Sequence, residues 1–435
     1  MATIELGEVA GTDARPPGVP LDRARIARYA LSVLSLLALL LAGGSARTAP
    51  PFLRVAWSAP LADGDAVSFT TDTAYVSRGV DGHVEITAYR LAGGEVLWRS
   101  TIDDFGPLSP EPRGNLVLLR VDPVSIQRPL DDGGQLTLFF YRATIALDAR
   151  TGARVWRAAG EQGATGGGMV LLGEHDKNAN LERLTMVDQA GRRVWSRPVP
   201  GARTWTIIES DDRPAQVVTV SEDNRLTFLR YADGSVLRSQ LLPRPASEVA
   251  FVDGYLLGID RSDQPPFDAT WTVYRWGDLT PLWSTGSEDW ITGCRPLLCG
   301  FNADGLVAHD PQTGAVRWHA PAKRSARSVG DDRLLLTDVL DNGETTLVNA
   351  VTGQRIGEPA PGMEVWDGGP HDSVLALRHT KNPPGLVSVT RLDLRTGRAL
   401  LLGAIDPIQV ITCWDLGRYL ACPDTKGHLV VRDVG

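Results

Sequence analysis

Cysteine is scarce in this chain, four residues in 435, and no two are adjacent or spaced as Cys-x-x-Cys. That excludes a disulfide-dense small scaffold, a zinc knuckle and a Cys-x-x-Cys-His haem attachment. Familiar catalytic frames are missing as well. There is no Gly-x-Ser-x-Gly elbow, no His-Glu-x-x-His and no phosphate-binding Gly-rich loop, and the seven histidines are scattered. A basic excess is also absent: 44 Lys and Arg face 52 Asp and Glu, a net charge of -8, which argues against a phosphate-backbone partner such as nucleic acid. From Phe52 onward no stretch carries the 3.6-residue periodicity of an amphipathic helix.

What the chain does have is a repeat. In Ala308 to Trp318, AHDPQTGAVRW, a strand-like alternation runs into Asp310 and Thr313, which can hydrogen-bond the backbone of a tight turn. Gly314 then supplies a positive φ, and Val316 and Trp318 start a return strand. Ala146 to Trp156 repeats the small residue, the Asp, the Thr-Gly and the Trp at identical offsets. Weaker copies occur at Ala88 to Trp98, Asp188 to Trp195, Tyr231 to Leu237, Val273 to Trp283, Asn349 to Ile356 and Asp393 to Leu400. Intervals of roughly 35 to 58 residues are those of a four-stranded propeller blade. One such unit reads as Trp290 to Cys294, Leu297 to Phe301, Leu306 to Asp310 and Ala315 to His319. The fold expected is therefore an all-β propeller.

The ends of the chain complete each other. Val431-Arg432-Asp433 aligns with Ala308-His309-Asp310, so the chain stops one strand short of a unit, and Leu53 to Trp57 reads as the missing outer strand. Pairing the two would close the ring and remove exposed edges. Eight hairpins with the composite unit give nine, but the glycine-rich stretch from Gln162 to Val187 reads as short of a proper innermost strand; eight blades are expected, with nine as the alternative.

Ahead of the repeats, residues 1–28 read as a disordered cytoplasmic tail ending in Arg23, Arg25 and Arg28, followed by an apolar run from Tyr29 to Ala42. Residues 29–46 read as a transmembrane signal anchor, with a cleaved signal peptide as the alternative, and 47–52 as a linker to a propeller at 53–435. That orientation predicts a single-pass protein of the cell membrane with its propeller on the extracytoplasmic side. No cysteine lies near Ala46, so a lipid anchor is excluded.

The pattern Ala-x-Asp-x-x-Thr-Gly-x-x-x-Trp resembles the tryptophan-docking repeat of the pyrroloquinoline-quinone-type propellers, which include quinoprotein alcohol dehydrogenases and BamB-type outer-membrane assembly factors. The resemblance spans roughly Phe52 to Gly435. It implies that Trp57, Trp98, Trp156, Trp195, Trp283 and Trp318 wedge between adjacent blades, each indole N–H bonded to a main-chain carbonyl. A quinoprotein would need two adjacent cysteines and a calcium site of Glu, Asn and Asp; the Cys-Cys pair is lacking, and no cofactor is expected.

The cysteines form two local pairs, Cys294 with Cys299 and Cys413 with Cys422, each across the inner two strands of a blade. Disulfides suit an exported protein, with buried thiols or a zinc site as alternatives. Trp205, Trp290, Trp366 and Trp414 fall on the strand expected to line the channel, open either to stacking on a flat ligand or peptide or to packing between sheets. Glu174, His175 and Asp176, and Glu364, Asp367, His371 and Asp372, are metal-ligand types, but they read as solvated turn residues and no metal is assigned. The function expected is a non-catalytic binding scaffold for a protein or small molecule. A quinone-dependent dehydrogenase, a ligand sensor and a BamB-like assembly factor are the alternatives.

Overall fold

Asp310 builds its turn from one carboxylate oxygen, which accepts the main-chain N–H groups of Gln312 and Thr313 and the Thr313 hydroxyl, while Gly314 lies at φ +73°. Asp148, Asn349 and Asp393 repeat the device. The turn is local chemistry, and it fixes the register of the strands on either side.

The computed structural model describes residues 29, 31–35 and 51–435, apart from 104–107, 130–134, 211–212, 262–268, 322, 324, 331, 339–342, 368–371, 382 and 409–411. The chain divides into units Met1–Ala49 and Pro50–Gly435. In the first, residues 29 and 31–35 are helical with Tyr29, Leu31, Val33 and Leu34 exposed. The tail 1–28 and the rest of the expected anchor 29–46 lie outside the described residues, and no helix among the described residues is long and apolar enough to cross a membrane.

The second unit is all-β. Its described strands make eight sheets: six of four strands, one of five and one of seven. The seven-stranded sheet is two four-stranded units that share the 18-residue strand Arg193–Ser210. In chain order the units are one (66–102), two (111–159), three (161–210), four (193–241), five (248–285), six (290–321), seven (325–361), eight (363–405) and nine (414–433 with 55–60). Within each, strands pair antiparallel in sequence order, except that the two-residue strand Trp366–Asp367 leaves unit eight to join unit nine in parallel. In unit three the glycine-rich stretch does furnish an innermost strand, Glu161–Gly166, paired with Met169–His175, contrary to the sequence reading. Glycine there leaves room for a neighbouring indole, described below. Unit nine joins the two ends, Val55–Pro60 pairing with His428–Asp433 and Trp57 opposite Val431.

The core is distributed. Each of nine buried apolar clusters is shared by two consecutive units, from Tyr75, Ile86, Val117 and Ile145 between one and two to Val76, Ala74, Leu429 and Val431 between nine and one. Burial of each such aliphatic side chain contributes about 1.5–3 kcal/mol, and here it holds sheet to sheet.

Seams are locked as well as packed. Six indoles donate to the carbonyl of the residue after the turn's first position in the next unit: Trp57 to Leu91 (2.6 Å), Trp98 to Ala149 (2.9 Å), Trp156 to Gln189 (3.1 Å), Trp195 to Tyr231 (2.9 Å), Trp283 to Pro311 (2.9 Å) and Trp318 to Ala350 (3.0 Å). Each ring lies on the bare turn glycine; a Cβ on Gly314 would come within 2.8 Å of Trp283. At the other three seams an arginine reaches the same carbonyl: Arg238 to Trp276 (3.0 Å), Arg333 to Leu394 (2.7 Å) and Arg391 to Val434 (3.0 Å). Arg238 stands in the position of the docking tryptophan, opposite Phe228 as Trp318 is opposite Ala308. Its guanidinium lies over the rings of Phe228 and Trp276, a flat donor replacing a flat donor.

Candidate functional site

The four residues expected on the channel side part company. Trp205 lies against Gly163 of the neighbouring unit, where no side chain would fit, and packs on the cluster between units three and four. Trp414 packs between units nine and one, 5.2 Å from the ring of Phe69. Both take the inter-sheet position. Trp290 is 55% exposed and meets the buried Trp271 edge-on at 6.0 Å. Trp366 belongs to a short strand parallel to Trp414–Leu416, and its side chain lies outside the described residues.

Cys294 is bonded to Cys299 and Cys413 to Cys422, with Cα separations of 5.6 and 4.4 Å, and all four residues are buried. Each bridge ties the inner two strands of its unit, six and nine. The acidic clusters diverge. Glu174 accepts the Thr185 hydroxyl, Asp176 caps its own turn through the N–H groups of Asn178 and Asn180, and burial holds His175 below the usual histidine value. His371 lies outside the described residues, and no metal-ligating group of three is found among the described ones.

Two features were not read from the sequence. The first is a long hairpin in unit two, Leu116–Pro129 with Gln135–Asp148. Its neighbours pair only at the base, Glu111–Arg113 with 116–118 and Arg154–Ala159 with 143–147, so the outer halves project beyond the sheet. Phe140 is buried beside His175, whereas Phe139 is 73% exposed. Two 14-residue strands were within reach of the sequence, since the interval between the first two hairpins is long.

The second is a buried polar cluster between units five and six. His309 precedes the turn of unit six, where the other hairpins carry Tyr89, Leu147, Val187, Leu229, Tyr274, Val348 and Leu392. Its Nε2 lies 3.0 Å from Glu288 Oε1 and its Nδ1 3.1 Å from the Gly314 carbonyl, and its ring stacks on Trp283 at 5.3 Å. Glu288, on the connection from unit five, also accepts the Thr285 hydroxyl, and its main-chain carbonyl accepts Trp271 Nε1 at 3.0 Å. Burial alone would raise the Glu288 carboxyl, but hydrogen bonds from His309, Thr285 and Ser287 outweigh it and hold the group at about 2. Burial works against the His309 proton, yet the bonds to Glu288 and Gly314 and the adjacent carboxylate raise it above the usual value. A groove of about 360 Å³ opens beside the pair, lined among others by Ser284, Thr285, Asn302, Val307 and Thr313. A histidine at a position that is aliphatic or tyrosine in the seven other hairpins, and charged only in the composite unit, at Arg432, was the available signal.

Successive four-stranded sheets, each docked on the next by an indole above a turn glycine, define a β-propeller of the pyrroloquinoline-quinone-like class. The family described as outer membrane protein assembly factor BamB matches residues 54–214 and 142–398, and the chain belongs to that family. Among solved structures, BamB from Moraxella catarrhalis is 16% identical, covering 88% of this chain and 99% of that one at a TM-score of 0.44. A eukaryotic initiation factor structure, 11% identical over 84% of this chain and 92% of that one, superposes with a TM-score of 0.55 and speaks to the fold alone. A quinohemoprotein alcohol dehydrogenase from Pseudomonas putida, 13% identical, covers 66% of this chain and 64% of that one at 0.38. No curated protein matches the sequence.

Proposed function

We propose that this chain is a non-catalytic binding scaffold, an extracytoplasmic propeller tethered through residues 29–46, that holds a protein partner against the projecting hairpin of unit two. The observation that carries the reading is the hairpin itself: a two-stranded ribbon reaching past its neighbours with Phe139 bare at 73% exposure, mounted on a rigid ring. Recognition elements on rigid scaffolds take this form, and exposed aromatic side chains anchor interfaces. Two buried disulfides fit an oxidising compartment. The family's name, an outer membrane protein assembly factor, suggests a partner of the same kind, a protein. In this reading the units form one closed ring of nine blades, the larger of the two counts, because the shared clusters and seam locks run head to tail and return through Trp57 to unit one.

The test is site-specific photo-crosslinking from position 139 of the full-length protein in its native membrane. A discrete protein adduct from position 139, absent from a control at exposed Arg99 on the outer strand of unit one, is expected. No adduct from any position of the ribbon would overturn the reading. Quinone-dependent dye reduction by the purified chain with an alcohol or sugar would instead establish the dehydrogenase alternative.

A further inference from the structure

The geometry of the Glu288–His309 pair fixes its proton count without reference to any titration. The Gly314 carbonyl can only accept, so His309 Nδ1 carries a hydrogen. Across the other bond, 3.0 Å from Nε2 to Oε1, one proton must lie on the imidazole or on the carboxyl, since a bare nitrogen and a carboxylate are both acceptors. Glu288 cannot turn away. Its second oxygen is taken by Thr285, its stem lies on the bare backbone of Gly300, and its main chain is held by Trp271. Both side chains are nearly fully buried, 3% and 6% exposed, so water does not substitute for the shared proton while the seam is closed.

The surrounding charges do not replace it. Arg317 pairs with Asp310 on the turn side, and Arg244, from the connection ahead of unit five, bonds the Ser284 hydroxyl at 2.6 Å. Among the described residues, the Glu288 carboxylate is the charged group bonded to the ring. The pair also touches the lock of its seam: the imidazole stacks on Trp283, whose N–H docks on Pro311 and whose ring lies under Gly314, the residue that His309 Nδ1 holds.

We propose that Glu288 and His309 form a proton-controlled latch between units five and six, closed while one proton is shared and opened by its loss, which admits water from the adjacent groove to the docking face of Trp283. Loss of the proton leaves two buried acceptors facing each other and one net negative charge in the seam, an arrangement that burial penalises strongly. The sign follows from the two groups. His309 is raised above 6.5, so its contribution is complete below that value and is lost as pH rises through the raised folded value. Glu288, lowered from 4.5 to about 2, contributes above 4.5 and is lost as pH falls through about 2. The latch therefore contributes in full between 4.5 and 6.5 and opens on the alkaline side, as pH passes the raised His309 value. This inference is independent of which partner the propeller binds.

Two measurements on the full chain decide it. In histidine-selective ¹⁵N spectra, the resonance assigned to His309 through E288Q is expected to show both ring nitrogens carrying hydrogen at pH 6. Deuterium uptake over 281–289 and 310–316, corrected for intrinsic exchange, is expected to rise by up to about 10-fold for each unit of pH as His309 titrates, to level off once its proton is gone, and to lose that rise in the H309L/E288L variant. A ring with a single N–H and no carboxyl proton on Glu288 at pH 6, uptake that stays flat through the titration, or an equal rise in H309L/E288L would each overturn the latch. The wild-type measurements stand by themselves if the double variant does not fold.

Discussion

Replacing Arg238 with tryptophan puts the family's docking indole where the seam between units four and five now holds a guanidinium. Alone, R238W is expected to destabilise, because the turn that would receive the ring carries Leu279 at φ +56°, fully buried, instead of glycine. A Cβ on Gly94, Gly191, Gly234, Gly314 or Gly353 would stand 2.5 to 2.8 Å from the indole above it, and Leu279 already has that carbon. Forcing the ring in costs about 1–3 kcal/mol of overpacking, and the lost carbonyl bonds to Trp276 and Gly277 about 1 kcal/mol each. L279G alone removes a buried leucine, about 2–5 kcal/mol, less about 1 kcal/mol of relieved left-handed strain. R238W/L279G together rebuild the indole-on-glycine lock of the sister seams, so the pair should be better than additive by about 2 kcal/mol. Urea unfolding of the four proteins, with slopes checked for constancy, measures the cycle. A coupling within about 0.5 kcal/mol of zero would refute the claim that turn residue and lock residue are chosen together.

Other expectations follow from the same contacts. G314A should cost clearly more than G254A, because both add left-handed strain of about 1 kcal/mol but only Gly314 has an indole where its Cβ would go; equal losses in thermal unfolding would contradict the docking role. Replacing Cys294 and Cys299 together by serine should cost about 2 kcal/mol, and Cys413 with Cys422 about 3 kcal/mol, from the short loops they close; unchanged unfolding under reductant would refute this. W290A, at a 55% exposed ring, should lose under about 1 kcal/mol, whereas W271A, in the buried core, should lose about 3–5 kcal/mol by the same assay.

The hairpins were legible because everything that makes them is local: an Asp or Asn oxygen, a hydroxyl three residues on, a glycine and a return strand. Docking tryptophans followed from resemblance and sit where they do for a reason that can be stated, a flat donor over a bare glycine. The arginine locks were not legible. Arg238 lies one residue beyond Leu237, where an apolar reading of that hairpin ends, and Arg333 and Arg391 approach from second and third strands, so they share no offset with the tryptophans. The inner-strand tryptophans could not be oriented from sequence, because the two-residue period separates the faces of a strand without saying which face meets a neighbour. Trp205 was decided by Gly163, more than forty positions away. His309 lies inside the repeat motif itself, at one of its variable positions, where the repeat pattern assigns no role.

The seam between units seven and eight inverts an expectation drawn from the repeat. By offset from the turn, Gly357 occupies the place of the docking tryptophan, and a consensus argument would restore the indole there. The backbone forbids it. Gly357 lies at φ +71°, and a Cβ on it would run into the main chain of Gly397, the turn glycine of unit eight, while one on Gly397 would run into the Ile356 carbonyl. The two glycines close this seam main chain to main chain, and Arg333 supplies the missing donors at 2.7 Å to both Leu394 and Arg395. G357W should therefore destabilise by about 3 kcal/mol or more, from left-handed strain and from parting the sheets, and G357A by about half as much. Both bonds leave one guanidinium nitrogen, Nη1, so R333K, whose single ammonium can donate to two carbonyls, should cost under about 1 kcal/mol, whereas R333A should cost about 1–2 kcal/mol. Denaturant unfolding that found G357W neutral or stabilising would show that the seam opens freely to a side chain, and that the glycine contact carries none of the load assigned to it.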